Sequence, residues 1–198
     1  MSAGPPHTGV VDNDDVTAVV LAGGKSKRFG SDKLAAPLRG TTVLEHLLGS
    51  LPSRWPVVVV GAERPTVRQA TWTVEDPPGG GPLAGVQAGL AFVTTAFVVV
   101  VAGDMPYAGY TVRDLVAALG AQPPAVAGVV ATDDAGHANP LLAAYRTAAL
   151  SGALPRPAHN RPAKLLLALP HNLVRVTGIP ALDVDTRQDL SALEGLDG

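Results

Sequence analysis

The chain has 198 residues, 46% of them hydrophobic and 4% aromatic, a formal net charge of −2 and no cysteine. That length suits one domain, or one domain with a small appendage, around a core of Val, Leu and Ala. The missing cysteines exclude disulfides, thiolate zinc sites, iron–sulfur clusters and cysteine nucleophiles. The near-neutral charge excludes a broad pull toward nucleic acid or an anionic membrane, so any phosphate site must be a local concentration of donors.

Residues 1–15, with Gly4, Pro5, Pro6 and Asp12-Asn13-Asp14-Asp15, read as a flexible tail, and 16–198 as a single domain. No basic stretch followed by an apolar one suggests a signal peptide, and no run of about 18 apolar residues suggests a membrane helix. The expectation is a soluble, cytoplasmic protein. Continuous apolar runs at 18–21, 57–60, 97–101 and 126–130 predict parallel strands buried on both faces, because they lack polar alternation. Between them, Val43, Leu44, Leu47, Leu48 and Leu51 share a helical face. So do Leu83, Val86, Leu90 and Val93, and then Val112, Leu115, Val116 and Leu119. Further on, 141–145 predicts a strand, 147–154 and 162–169 helices, and 173–176 a short strand. Residues 186–193 predict a final helix with Thr186 as N-cap and Asp189 at N3. This alternation predicts a three-layer α/β/α fold with a mostly parallel sheet.

The first predicted strand runs into Ala22-Gly23-Gly24-Lys25-Ser26-Lys27-Arg28-Phe29-Gly30-Ser31-Asp32-Lys33. Glycines let backbone N–H groups approach an anion with no Cβ in the way, and Lys25, Lys27, Arg28 and Lys33 add positive charge. An ordinary glycine-rich turn with solvated lysines is the plainer reading of the same residues. Two phosphate-binding motifs are excluded. A Walker A loop needs glycine five positions before Gly24, where Val19 stands, and the dinucleotide fingerprint fails at Lys25.

Asp104 follows the apolar run at 97–101, at the sheet edge where α/β folds collect ligands. There it serves either a ligand or the turn that Pro106 makes. Asp183 and Asp185 alternate onto one side of an extended segment, unless the segment only caps the next helix. His7, His46, His137, His159 and His171 show no metal-ligand spacing, and no Gly-x-Ser-x-Gly elbow exists for acyl transfer. His159, Arg161 and Lys164, within or beside an irregular stretch, face either an anionic substrate or solvent.

Leu21-Ala22-Gly23-Gly24-x-Ser26-x-Arg28-Phe29-Gly30-x-Asp32-Lys33 resembles the signature of the molybdenum cofactor guanylyltransferases, which are Rossmann-like nucleotidyltransferases. The likeness is strong over residues 17–110 and weak over 137–193. It implies transfer of GMP from GTP to molybdopterin, with release of pyrophosphate. It implies nucleotide contacts at Leu21, Ala22, Gly23, Gly24 and Gly61, and phosphate contact at Lys33. Asp76 matches a nucleotide-contacting aspartate ahead of Gly81-Pro82-Leu83-Ala84-Gly85, and an aspartate can accept from N1–H and the amine of guanine. Gly103-Asp104-Met105-Pro106 matches a Mg²⁺-binding motif, with Asp185 as the second carboxylate. Arg28, Lys33 and Asp104 are then the catalytic set. The nucleophile is already anionic, so alignment and charge neutralisation suffice. The other implied partners are transient: molybdenum-insertion proteins or apo-molybdoenzymes, with no nucleic acid and no membrane. Asn139 matches a stretch on the pterin side, or is a turn residue before Pro140.

The chain departs from that pattern at Phe29, where Met is usual, and at Gly61, where an asparagine is common. It also has Asp183, Asp185 and Arg187, where asparagines and a proline are often found. The alternatives are a molybdopterin cytidylyltransferase, which usually reads Leu-Ala-Ala-Gly and lacks the Asp-Lys pair, a sugar-phosphate or phospholactate nucleotidyltransferase, or a non-catalytic nucleotide-binding module of the same fold.

Overall fold

A computed structural model describes residues 15–24 and 29–195. In chain order it contains β1 (Val16–Leu21), β2 (Pro37–Leu38), β3 (Thr41–Thr42), α1 (Val43–Ser50), β4 (Val57–Val60), β5 (Thr71–Thr73), α2 (Pro82–Leu90), β6 (Phe97–Ala102), α3 (Val112–Gly120), β7 (Gly128–Thr132), β8 (Ala138–Arg146), α4 (Thr147–Ala153), β9 (His171–Arg175) and α5 (Arg187–Glu194). Seven strands form one sheet in the order β5-β4-β1-β6-β8-β7-β9, and β2 and β3 make a separate small hairpin. Within the seven-stranded sheet, β8 alone of the described strands runs against its neighbours.

The valine runs are uninterrupted because both faces of the sheet are covered. Val20, Val59, Val99 and Val101 face a core shared with α1, α3 and α5, whereas Val19, Val58, Val98 and Val100 face one shared with α2, α4 and Leu166. The fold is therefore the expected three-layer α/β/α with a mostly parallel sheet. Gly89 of α2 packs so tightly on β1 that a Cβ there would lie 2.5 Å from Val19 Cγ1. Among the described residues no helix is long and apolar enough to cross a membrane.

Several boundaries differ from the sequence reading. The strand expected at 126–130 begins at Gly128, because Val126 closes a turn onto the Pro123 carbonyl and its own carbonyl accepts from Arg146 Nε. The segment expected as a helix at 162–169 is a 3₁₀ turn, Ala163–Ala168, entered from extended Pro162 and followed by Pro170. The strand read at 141–145 extends to nine residues. β5 escapes the sequence reading because it is a three-residue edge strand with no apolar run.

Arg68 gathers the end of α1 and the turn leading into β4. Its guanidinium donates to the carbonyls of Leu48, Leu51, Pro52 and Trp55 at 2.7–2.9 Å. No other side chain offers that planar fork of donors. Replacing Arg68 with Ala takes one donor away from each of four carbonyls. We expect it to cost about 2–3 kcal/mol and lower Tm by about 5–10 °C. Denaturant unfolding should show that Arg68→Lys recovers less than half of that loss.

Candidate functional site

Three parallel strands end level with one another. Leu21 lies opposite Val60 on one side and Ala102 on the other, so the loops after β1, β4 and β6 emerge side by side. The ladder continues into them: Ala22 N donates to Val60 O at 2.8 Å, and Gly103 N to Leu21 O at 2.9 Å. Such close approach tolerates no side chain. A Cβ on Gly61, whose φ is +152°, would lie 2.6 Å from Ala22 O, and one on Gly103 would lie 2.9 Å from Leu21 O.

Above this edge opens a cleft of about 620 Å³. Leu21, Gly23 and Gly24 line it from the glycine loop, Gly81, Pro82 and Gly85 from the start of α2, and Asp104 from the loop after β6. Ala22 is buried beneath. Glu75 also lines the cleft and holds Gly79 N through Oε1 at 3.0 Å, whereas Asp76 is exposed and is not among the lining residues. Sequence reasoning gave Glu75 no role. Its one signal was adjacency to Asp76, since neighbouring residues of an extended chain point opposite ways.

Beside the cleft, Lys33 Nζ donates to Asp104 Oδ2 at 2.5 Å and to Asp185 Oδ1 at 3.0 Å. Three separate pieces of chain make this cluster. Lys33 opens a one-turn 3₁₀ helix capped by Asp32, whose Oδ1 accepts from Leu34 N. Asp104 leaves β6. Asp185 sits on an extended segment anchored by Val184, which is fully buried and donates its N–H to Asp104 O at 2.9 Å. Burying Val184 turns the neighbouring Asp183 and Asp185 the other way. Asp189 then fixes the end of the segment, because its Oδ2 accepts from both Asp185 N and Thr186 N in a capping box.

The charges are coupled. Burial alone would lower the Lys33 ammonium, but the Asp104 and Asp185 carboxylates outweigh it and hold the ammonium above its ordinary value. Burial raises the Asp183 carboxyl, and the negative charges of Asp104 and Asp185 raise it further. Asp104 and Asp185 are hard oxygen donors of the kind Mg²⁺ takes, and they already share one positive charge. Among the described residues no group of three or more His, Cys, Asp or Glu could hold a metal ion. A Mg²⁺ ion here would complete its shell with substrate oxygens and water.

Two positions where the chain departs from the pattern of its sequence resemblance touch each other. The Arg187 guanidinium lies over the Phe29 ring, 5.3 Å from its centroid, and joins the start of α5 to the end of the glycine loop. Arg28, with Lys25 and Lys27, lies outside the described residues. Asn139 accepts from Leu141 N at 3.0 Å and approaches Met105 Sδ. The loop before the 3₁₀ turn abuts the cleft rim, where Asn160 N donates to Gly80 O at 2.6 Å and His159 packs on Gly80.

The family model of the MobA-like NTP transferase domain matches residues 18–173. A probable molybdenum cofactor guanylyltransferase of Chloroflexus aggregans is 37% identical over 145 residues, 69% of this chain and 68% of its own length. A probable molybdenum cofactor guanylyltransferase of Mycobacterium tuberculosis is 42% identical over 106 residues, 48% of this chain and 52% of its own, so that match spans about half of each. The crystal structure of molybdopterin-guanine dinucleotide biosynthesis protein A from Archaeoglobus fulgidus superposes with a TM-score of 0.67. The two are 24% identical, over 90% of this chain and 96% of that one, and they share the fold.

Gly61→Ala should force the loop after β4 away from Ala22. We expect a loss of about 2–4 kcal/mol in unfolding free energy, from a strained φ together with a backbone clash. The nucleotide-induced melting shift should fall with it, and calorimetry with and without nucleotide reads both effects. A second expectation concerns acid. The Arg64 hydrogen bond holds the Asp32 carboxyl below its ordinary value, against a smaller opposing effect of burial. Its stabilisation is therefore present above the unfolded pKa of about 3.9 and is lost as pH falls through the lower folded value. Asp32→Asn should destabilise the protein at about pH 7 and make little difference near about pH 2, as urea unfolding at the two pH values will register.

Proposed function

Because the chain belongs to the family of MobA-like NTP transferase domains, we propose that it is a molybdenum cofactor guanylyltransferase. It transfers GMP from GTP to molybdopterin and gives the guanine dinucleotide cofactor and pyrophosphate. The observation that carries this reading is the meeting of Lys33, Asp104 and Asp185 beside a cleft lined by the glycine loop.

The nucleotide lies along Leu21, Gly23 and Gly24, whose backbone takes up the phosphates where no side chain intervenes. A terminal phosphate oxygen of molybdopterin attacks the α-phosphorus of GTP. The bond from that phosphorus to the bridging oxygen of the β-phosphate breaks, and the electron pair leaves with pyrophosphate. The attacking group is already an anion, so this chain's task is to align the partners and to meet charge on the departing group. Lys33 does this as an ammonium, a state its two carboxylate partners secure. Asp104 and Asp185 are the residues that would hold Mg²⁺, and when bound that ion supplies charge neutralisation on phosphate oxygens. On this reading the guanine end meets Glu75 and backbone, a placement supported by Glu75 lining the cleft while Gly61 offers no side chain and Asp76 is exposed. The same reading puts the protein in the cytoplasm, with no membrane partner.

Melting temperatures measured with GTP, CTP and ATP, each with and without Mg²⁺, test the reading, because a ligand that binds only the folded state stabilises it by mass action. GTP with Mg²⁺ should give the largest shift. Asp104→Ala should remove the Mg²⁺ dependence and lower the rate of pyrophosphate release by about 100-fold to 1,000-fold. A larger shift with CTP would make the protein a cytidylyltransferase. A nucleotide shift without pyrophosphate release, when molybdopterin is supplied, would make it a binding module.

A further inference from the structure

Arg64 stands outside the cleft lining and in none of the motifs read from the sequence, yet it joins three pieces of chain at the edge of the cleft. Its Nε donates to Asp32 Oδ2 at 2.8 Å. One terminal nitrogen donates to Ala62 O at 2.8 Å, within its own loop, and reaches Ala22 O at 3.4 Å. Asp32 uses its other oxygen to cap the Lys33 turn through Leu34 N. One planar group thus spans the loop after β4, the start of the glycine loop and the base of the Lys33 turn. The Arg64 side chain is only 18% exposed, against 44% for Asp32.

We propose that Arg64 is a positioning residue for nucleotidyl transfer: through Asp32 it sets where the Lys33 ammonium stands, and through Ala22 O it fixes the glycine loop against the loop after β4. This rests on the functional reading above. A salt bridge of purely structural value would need only the charge of residue 64 near Asp32. The tie described here needs the guanidinium fork, with Nε on one partner and a terminal nitrogen on two carbonyls, which an ammonium cannot reproduce. Misplacing the Lys33 turn weakens its interaction with charge that develops on the departing pyrophosphate, so the effect belongs mainly to kcat.

The test is a double-mutant cycle in the full chain, with Arg64→Gln, Asp32→Asn and the pair, plus Arg64→Lys. Pyrophosphate release is followed with molybdopterin, Mg²⁺ and whichever nucleoside triphosphate gives the largest melting shift. Arg64→Gln should lower kcat by about 10-fold to 100-fold while KM for the nucleotide moves less than about threefold. The double variant should be within about threefold of the worse single one, because both break one relay. Arg64→Lys should stay closer to Gln than to the parent. If Arg64→Gln does not fold, Asp32→Asn and Arg64→Lys must still each show the kcat-weighted loss. Effects that multiply, a change confined to KM, or a fully active Arg64→Lys overturn the inference and leave the functional reading intact. A parent chain that turns over no nucleotide overturns the reading, and the inference with it.

Discussion

One ammonium ties together the loops that frame the cleft edge of this molecule. Lys33 lies 71 residues from Asp104 and 152 from Asp185, and it pairs with both. Its charge stands among Asp104, Asp183 and Asp185, which lie close to the apolar ends of β1 and β6. Like charges so placed repel strongly when partly desolvated. The fold spends several devices on bringing them there. Val184 is buried to turn its neighbours outward, a capping box grips the backbone of residue 185, and the Val184 N–H binds the carbonyl of Asp104 itself. That expenditure has no purpose in the core, which the valine sheet already fills.

The sheet was legible because burial on both faces leaves only one kind of residue in a strand. Val57–Val60 and Phe97–Ala102 could not be amphipathic helices of four or six residues, and their flanking turns fixed them as strands. The helical faces of α1, α2 and α3 were legible from spacing alone. Direction was not: nothing in 138–146 reveals that β8 runs antiparallel between β6 and β7, because an antiparallel strand enclosed on both faces reads like a parallel one. The short strands β2, β3 and β5 were invisible for want of periods to count.

At the site, the legible residues were those whose roles come from position along one element. Asp104 was found because it follows a buried strand, and Asp183 and Asp185 because alternation puts them on one side. Residues whose roles come from contacts across the chain were not. Arg64 meets Asp32 across 32 residues, and no local pattern records that pairing. The contact between Phe29 and Arg187 is instructive for the same reason. Each looks like an isolated substitution in the sequence, yet in the fold they form a single cation–π pair that links the glycine loop to the segment carrying Asp185. Glu75 and Asp76 show the limit at closest range, since adjacent acids on an extended chain differ only in the face they take.

The charge balance of the described cleft constrains how a triphosphate can occupy it. Asp104 and Glu75 line it, and Asp183 and Asp185 stand beside Asp104, whereas Arg64 is already committed to Asp32 and Lys33 to two carboxylates. An anion entering this space meets more negative than positive charge from the described side chains, and the whole chain, at −2, supplies no field to overcome it. Among the described groups, attraction must therefore come from backbone N–H groups at the glycines, and beyond them from whatever cation accompanies an incoming nucleotide. A site of this composition favours a phosphate that arrives with its positive charge over a naked one. Under the proposed function that preference would give the two carboxylates a use that phosphate recognition alone would deny them: they would bind the partner of the phosphate rather than the phosphate itself.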